Sequence, residues 1–197
     1  MPNGITTDTR RMVISLDECL AQVDASKVWF ARCVLPLSIE QLRWRPEPKH
    51  WSIAECLDHL NLSLGLCLPG IDEAISDAWR DGHISAATGS DPAEVAALHQ
   101  VEPPVVVPAL APTAALPSAS IEPERLVDHF HQVRDRYAGA IRRALGLDLY
   151  GIRVAAPIVP WIRSLGGVFA YLAAHDRRHL WQSERIRRAP RFPRAAF

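Results

Sequence analysis

The sequence predicts an all-α protein built as a four-helix bundle, and three observations support this class. Apolar residues recur every three or four positions along four segments, each of roughly 25 residues. In each segment these residues form one stripe and leave the opposite side polar, as in the helices of a bundle. The chain has 197 residues, of which 48% are hydrophobic, so residues 1–197 are expected to form a single domain with one core.

The first helix is predicted over residues 8–35. Its apolar residues follow a spacing of three, four and seven: Val13, Leu16, Leu20, Val23 and Phe30. A short turn follows at 37–44, where Ser38 and Gln41 have the spacing of a capping box.

The second helix has the clearest start, in the sequence HWSIAECLDHL. Ser52 and Glu55 form an S-x-x-E capping box, in which each side chain bonds the backbone amide of the other residue. The helix is predicted to continue to about residue 79, with one apolar face: Leu57, Leu60, Leu64, Leu68, Ile71 and Ile75.

The helical pattern then stops, and residues 81–120 form a proline-rich connection. Long loops in compact domains are usually functional or disordered. A third interpretation, which we favour, is a crossover, because parallel neighbouring helices require the chain to travel the length of the bundle again. The run VEPPVVVPALAP is apolar enough to lie on the protein surface rather than in solvent.

The last two helices are predicted over residues 120–146 and 161–188. Pro123 falls in the first turn of the third helix, and Gly146 is a typical stop. Pro190 and Pro193 end the fourth helix and leave residues 189–197 as a C-terminal tail. The intervening segment YGIRVAAPIV has some strand character, but its prolines and the lack of a partner argue against a sheet.

Two histidines lie four residues apart in the motif HDRRH of the fourth helix. They belong to the stripe that should face the core: Leu165, Val168, Leu172, His175, His179, Gln182 and Ile186. Side chains at this spacing have Cβ atoms about 5–6 Å apart, close enough for both imidazoles to bind one metal ion. The alternative is a pair of core histidines whose hydrogen bonds are satisfied.

The best candidate for a third ligand is His59 on the second helix. It lies about 100° around the helix from Leu60, away from the centre of the leucine face. Its own stripe consists of small residues that leave room for an imidazole and an ion: Ser52, Cys56, Ser63 and Cys67. Taken alone, a histidine on such an edge is more often a surface or filler residue than a ligand.

Three further polar residues are candidates for orienting the histidines. Asp58 and Asp176 each follow or precede a histidine directly, and either carboxylate is suited to accept a hydrogen bond from a ligand imidazole. Gln182 lies one turn beyond His179 and is either a hydrogen-bonding partner near the site or a polar filler. The motif HDRRH differs from the HExxH of zincin proteases, so we do not favour a protease.

The composition limits which binding partners and which cellular location we expect for the protein. Lys plus Arg and Asp plus Glu number 22 each, so the charge balance does not indicate a polyanion partner. The arginines near the C-terminus are better explained by the helix dipole and solubility than by nucleic-acid binding. The sequence has no signal-peptide pattern, no apolar stretch long enough for a membrane span, and four cysteines without a CxxC pair. We therefore expect a cytoplasmic protein with free thiols, and a homodimer is among the expectations.

Two segments together carry a resemblance to a known family. LRWRPEPKHWSIAECLDHL and AYLAAHDRRHLWQSERI resemble the DinB-like superfamily, including its YfiT-like metal-dependent hydrolases, in an order and spacing that span most of the chain. The resemblance implies a four-helix bundle of up-down-down-up order, with the long connection between helices 2 and 3. It also implies three histidine metal ligands, which map onto His59, His175 and His179. Members bind zinc, nickel or similar divalent ions, and some use low-molecular-weight thiols.

Three imidazoles without a fourth protein ligand leave a coordination position open, as in catalytic rather than structural zinc sites. A metal-bound water there supports hydrolysis, and a bound thiol supports S-transfer. The catalytic group is therefore expected to be the water or the thiol rather than a side chain. The leading hypothesis is a metal-dependent enzyme acting on a small molecule, either a hydrolase or a thiol S-transferase. The alternative is a non-catalytic bundle, metal-stabilised or metal-free, that acts as a binding or interaction protein.

Overall fold

The computed structural model describes residues 15–85, 91–104, 110–118 and 120–194. Within these ranges the chain forms six α-helices and one 3₁₀ turn at Thr113–Ala115, and it forms no strand. The helices are α1 (Leu16–Cys33), α2 (Ile39–Arg43), α3 (Ile53–Asp81), α4 (Pro92–Val101), α5 (Pro123–Arg143) and α6 (Leu165–Arg187). The all-α class predicted from the sequence is confirmed.

Within the described residues, the first helix runs from Leu16 to Cys33. The expected start at Asp8 lies outside the described residues, and within them α1 begins at Leu16. The hydroxyl of Ser15 accepts a hydrogen bond from the amide of Glu18 at 3.2 Å and so satisfies one of the free donors of the first turn. The helix ends at Cys33, two residues before the predicted end.

Both predicted capping boxes are confirmed. The Ser38 amide donates to Gln41 Oε1 at 2.9 Å, and the Ser38 hydroxyl accepts from the Gln41 amide at 3.2 Å. Ser52 and Glu55 make the same pair of bonds at 2.8 and 3.2 Å at the start of α3. All six residues of the predicted leucine face are buried, and the helix ends at Asp81, before Gly82 with a φ of 75°.

The proline-rich connection contains a helix that the sequence analysis missed. Asp91 accepts a hydrogen bond from the amide of Ala93 at 2.8 Å and caps α4, which packs against α6. Pro92 begins this helix, a position that proline tolerates because its missing N–H would have no partner there. The prolines of this segment predict a non-helical connection, but Asp91 and Pro92 together form a helix start.

The last two helices are confirmed with shifted ends. α5 begins at Pro123 and ends at Arg143, before Gly146, which has a φ of 88°. α6 begins at Leu165 rather than near residue 161, because the Ser164 hydroxyl accepts from the Gly167 amide and caps the helix at this point. Between them an isolated bridge joins Arg153 and Ser164, and it does not extend into a strand.

The four long helices pack against one another around two apolar clusters. Helix α3 contacts α5 and α6, and α1 contacts the same two helices. Phe30 of α1 stacks on Phe130 of α5 with ring centroids 4.1 Å apart. None of the helices in the described ranges combines the length and the apolar character that crossing a bilayer requires. The up-down-down-up order, the crossover interpretation and the homodimer stay predictions.

Candidate metal centre

Three histidines from two helices meet inside the protein. Helix α3 supplies His59, and α6 supplies His175 and His179. Their exposed fractions are 3%, 7% and 6%, and one ring nitrogen from each lies within 4.8 Å of the others. The Nε2 atoms of His59 and His175 are 3.0 Å apart. The structure thus brings together the three residues that the sequence analysis singled out.

Local sequence explains why the rings converge. His175 and His179 are one turn apart on the buried face of α6, and their ring centroids lie 4.6 Å apart. On α3, the small residues Cys56, Ser63 and Cys67 are fully buried, so α3 buries the edge that carries His59 as well as its leucine face. Because these side chains are short, the imidazole of His59 fits between the helices.

Hydrogen bonds to the outer ring nitrogens orient two of the histidines. His59 Nδ1 lies 2.6 Å from the carbonyl oxygen of Ala115, and His179 Nδ1 lies 3.1 Å from Gln182 Oε1. A carbonyl oxygen only accepts, so Nδ1 carries the hydrogen in both rings and Nε2 keeps its lone pair. This is the arrangement in which a histidine binds a metal through Nε2.

Burial keeps the three imidazoles neutral. It lowers the pKa of His59 below the ordinary 6.5 and lowers the pKa values of His175 and His179 well below it. The neighbouring histidines and the Arg178 guanidinium lower the pKa values of His175 and His179 further, because each disfavours another positive charge. Neutral imidazole is the form that binds metal.

Half-buried aromatic and basic side chains lie around the cluster. The Trp51 ring lies 4.9 Å from that of His59 and 5.8 Å from that of His179, between ring centroids. Tyr171 stacks on His175 at 5.6 Å. The sequence analysis missed these neighbours, although Tyr171 lies one helical turn before His175 and could have been found from that spacing.

The three candidates for orienting residues have different surroundings. Gln182 contacts a cluster histidine directly, as described above. The carboxylate of Asp58 accepts a hydrogen bond from the Ser118 amide at 2.8 Å and so holds the connection against α3. Asp176 is hydrogen-bonded to Arg134 and Ser26, within a buried network.

The residues present fit a divalent metal ion. Two nitrogens bound to one zinc ion at about 2.1 Å each lie at most about 4.2 Å apart, so a small ring movement brings the three within bonding range. Imidazole suits zinc, nickel, copper and iron. In the described part of the chain the group contains three ligand residues. Cys56, one turn from His59, is buried and burial raises its pKa to about 12, which disfavours the thiolate that a metal would need.

The fold and the cluster define a class, an all-α protein with a buried three-histidine group suited to a divalent metal ion. Comparison with sequence models of known families identifies the superfamily to which the chain belongs. The sequence model of the DinB superfamily matches residues 29–183, a range that includes all three histidines, and the chain belongs to this superfamily. The resemblance found in the sequence is confirmed. No curated protein and no solved structure gave a significant match.

Proposed function

We propose that the protein is a metal-dependent enzyme that binds a divalent ion through His59, His175 and His179 and acts on a small molecule. The observation that carries this proposal is the convergence of three neutral, buried imidazoles from two helices. Because His59 and His179 are hydrogen-bonded through their outer Nδ1 atoms, their Nε2 atoms face the third histidine, and this supports a shared ligand at the centre of the group.

The proposed ion is zinc or nickel. Nitrogen ligands suit both metals, and membership of the superfamily supports metal binding. When bound, the ion would supply a Lewis-acidic position at which a water or a thiol loses its proton near neutral pH. Hydrolysis and transfer to a thiol sulfur are both compatible with this site, the second with a low-molecular-weight thiol as co-substrate.

Groups of the protein around the proposed ion orient the imidazoles, cover them and favour one kind of substrate. The Ala115 carbonyl and Gln182 hold the imidazoles of His59 and His179 in the orientation that points Nε2 inward. Trp51 and Tyr171 cover the rings with apolar surface and restrict water around the reacting groups. Arg178 is half-buried beside the cluster, where its positive charge favours a substrate that carries an anionic group.

Metal content is the first test. Protein purified without a His-tag should contain one divalent ion per chain by elemental analysis, and His175→Ala should lose it. The exposed His83 offers a matched control, and His83→Ala should keep the ion. Wild-type protein that contains no ion and takes up none from added Zn²⁺ or Ni²⁺ would refute the proposal.

Turnover is the second test. The metal-loaded protein should be assayed with thiols plus electrophiles, and separately with small esters and amides. Activity should disappear on chelation and return with Zn²⁺ or Ni²⁺. Turnover that persists after complete removal of the metal contradicts the mechanism, whereas tight metal binding without any turnover favours a binding or structural protein.

A further inference from the structure

A buried polar network lies beside the histidine cluster and takes one side chain from each of the four long helices. Its members are Ser26 of α1, Asn61 of α3, Arg134 of α5 and Asp176 of α6, and none is more than 7% exposed. The carboxylate of Asp176 accepts hydrogen bonds from Arg134 Nη2 and from the Ser26 hydroxyl. Arg134 Nη1 also donates to Asn61 Oδ1 at 3.2 Å.

The network is level with the histidines along both helices that carry them. Asp176 directly follows His175 on α6, and Asn61 is two residues beyond His59 on α3. At a rise of 1.5 Å per residue these pairs are separated by about 1.5 and 3 Å along the helix axes. Asp176 points about 100° away from His175 around α6, so the network lies beside the cluster and contributes no ligand to it.

The guanidinium of Arg134 is held in one orientation. Its carbon lies 3.4 Å from the centroid of the Phe130 ring, and Phe130 stacks in turn on Phe30 at 4.1 Å. The arginine is therefore clamped between an aromatic face and the carboxylate of Asp176. A planar group fixed on two sides holds α5 and α6 in one relative position more rigidly than aliphatic side chains would.

Stability alone does not explain this arrangement. Removing two charges from water is costly, and well-packed apolar residues of similar volume often stabilise a fold as well as a buried ion pair or better. What an ion pair with fixed geometry adds is a unique register between the elements that it joins. Here those elements include both helices that present histidines.

We propose that Arg134 and Asp176 form a positioning pair that fixes the register of α3 and α6 and thereby sets the arrangement of His59, His175 and His179. The ligand concerned is a divalent cation, and only the metal readout below rests on the proposed function. The pair touches neither the ion nor the substrate. Its effect is on how well the three nitrogens are placed before the ion arrives.

The test uses the double variant Arg134→Met/Asp176→Leu, which replaces the pair with apolar residues and is expected to stay folded. Asp176→Asn is the single-site companion. The control is Ile141→Ala, which leaves a cavity about two turns away on the same α5 stripe. The stability of each variant is measured by chemical denaturation. Affinities are then compared under conditions in which every protein is folded.

Zn²⁺ affinity, measured by competition with a chelator, should fall by about 10–100-fold in the double variant and in Asp176→Asn. The visible absorption of bound Co²⁺, which reports coordination geometry, should also change. Ile141→Ala should keep both properties despite its lower stability. A folded double variant with wild-type Zn²⁺ affinity and an unchanged Co²⁺ spectrum would overturn the inference.

A metal-free readout separates this inference from the proposed function. The imidazole nitrogen resonances of the three histidines in chelator-treated protein should shift in the double variant and stay unchanged in Ile141→Ala. If wild-type protein binds no metal, the proposed function fails, and these resonances still decide the positioning role. Identical resonances in wild type and double variant would refute that role.

Discussion

Acid should destabilise the metal-free protein through its three buried histidines. Each imidazole has a pKa lowered by burial, so the folded state resists protonation. The unfolded chain takes up those protons near the ordinary histidine pKa of 6.5. Below that pH the unfolded state therefore binds more protons than the folded state, and the free energy of unfolding must fall as the pH falls.

The size of the effect follows from the number of groups. One proton taken up only on unfolding changes the free energy of unfolding by about 1.4 kcal/mol per pH unit. His175 and His179, whose pKa values are lowered most, give a slope of about 3 kcal/mol per unit, and His59 raises the limit to about 4 kcal/mol. Domains are typically stable by about 5–15 kcal/mol, so a loss of this size over one or two pH units is decisive.

The assay is urea denaturation of chelator-treated protein at intervals between about pH 7.5 and about pH 5. The wild type should be flat near the upper end and should lose stability progressively below about pH 6.5. His175→Leu removes one titrating group from the core, so its slope should be shallower by about 1.4 kcal/mol per unit. A wild-type profile that is flat across the range, or an identical slope in His175→Leu, would refute the reasoning.

Three other predictions concern separate parts of the molecule. Ser52→Ala removes the cap of α3 and should cost about 1 kcal/mol of unfolding free energy in urea, with Ser52→Thr as a milder control. Gln182→Leu removes the partner of His179 Nδ1 and should weaken Zn²⁺ binding by about 10-fold or more in chelator competition. In native protein at about pH 8 a thiol reagent should modify the half-buried Cys33 far faster than the three buried cysteines. Burial raises the pKa values of these three thiols to about 11 or 12, so few of them are thiolates. Equal rates for all four cysteines would contradict this prediction.

The parts of the structure that could be predicted from the sequence are those set by residues close together in the chain. The capping boxes at Ser38 and Ser52 each depend on two residues three positions apart. The pairing of His175 with His179 follows from one turn of helix in the same way. His59 was harder to place, because its burial depends on how far the contact surface of α3 extends beyond the leucine face. That width is set by packing between helices, and the spacing of apolar residues within α3 does not indicate it.

The partners of Asp176 could not be predicted from neighbouring residues in the chain. Its position beside His175 made it a candidate for bonding an imidazole, but its partners are Arg134 and Ser26, which are distant in sequence. A charged residue on a helix stripe gives no indication of which charge from another helix will meet it. Arg134 follows the apolar Val133 and reads as a surface residue, yet its side chain is fully buried. The burial of an arginine can be predicted only when the acidic residue that pairs with it is known.

Described residues of the connection between α3 and α5 contact the histidine cluster and the helices that carry it. The Ala115 carbonyl orients His59, Ser118 is tied to α3 through Asp58, and Glu102 at the end of α4 pairs with Arg177 on α6. Because the contact to His59 is made by a backbone atom, it places little demand on residue type beyond a small side chain at the fully buried position 115. It depends instead on the 3₁₀ turn at Thr113–Ala115, which places this carbonyl against α3. A search for site residues by chemical type therefore overlooks Ala115, even though its carbonyl determines which nitrogen of His59 faces the other two histidines.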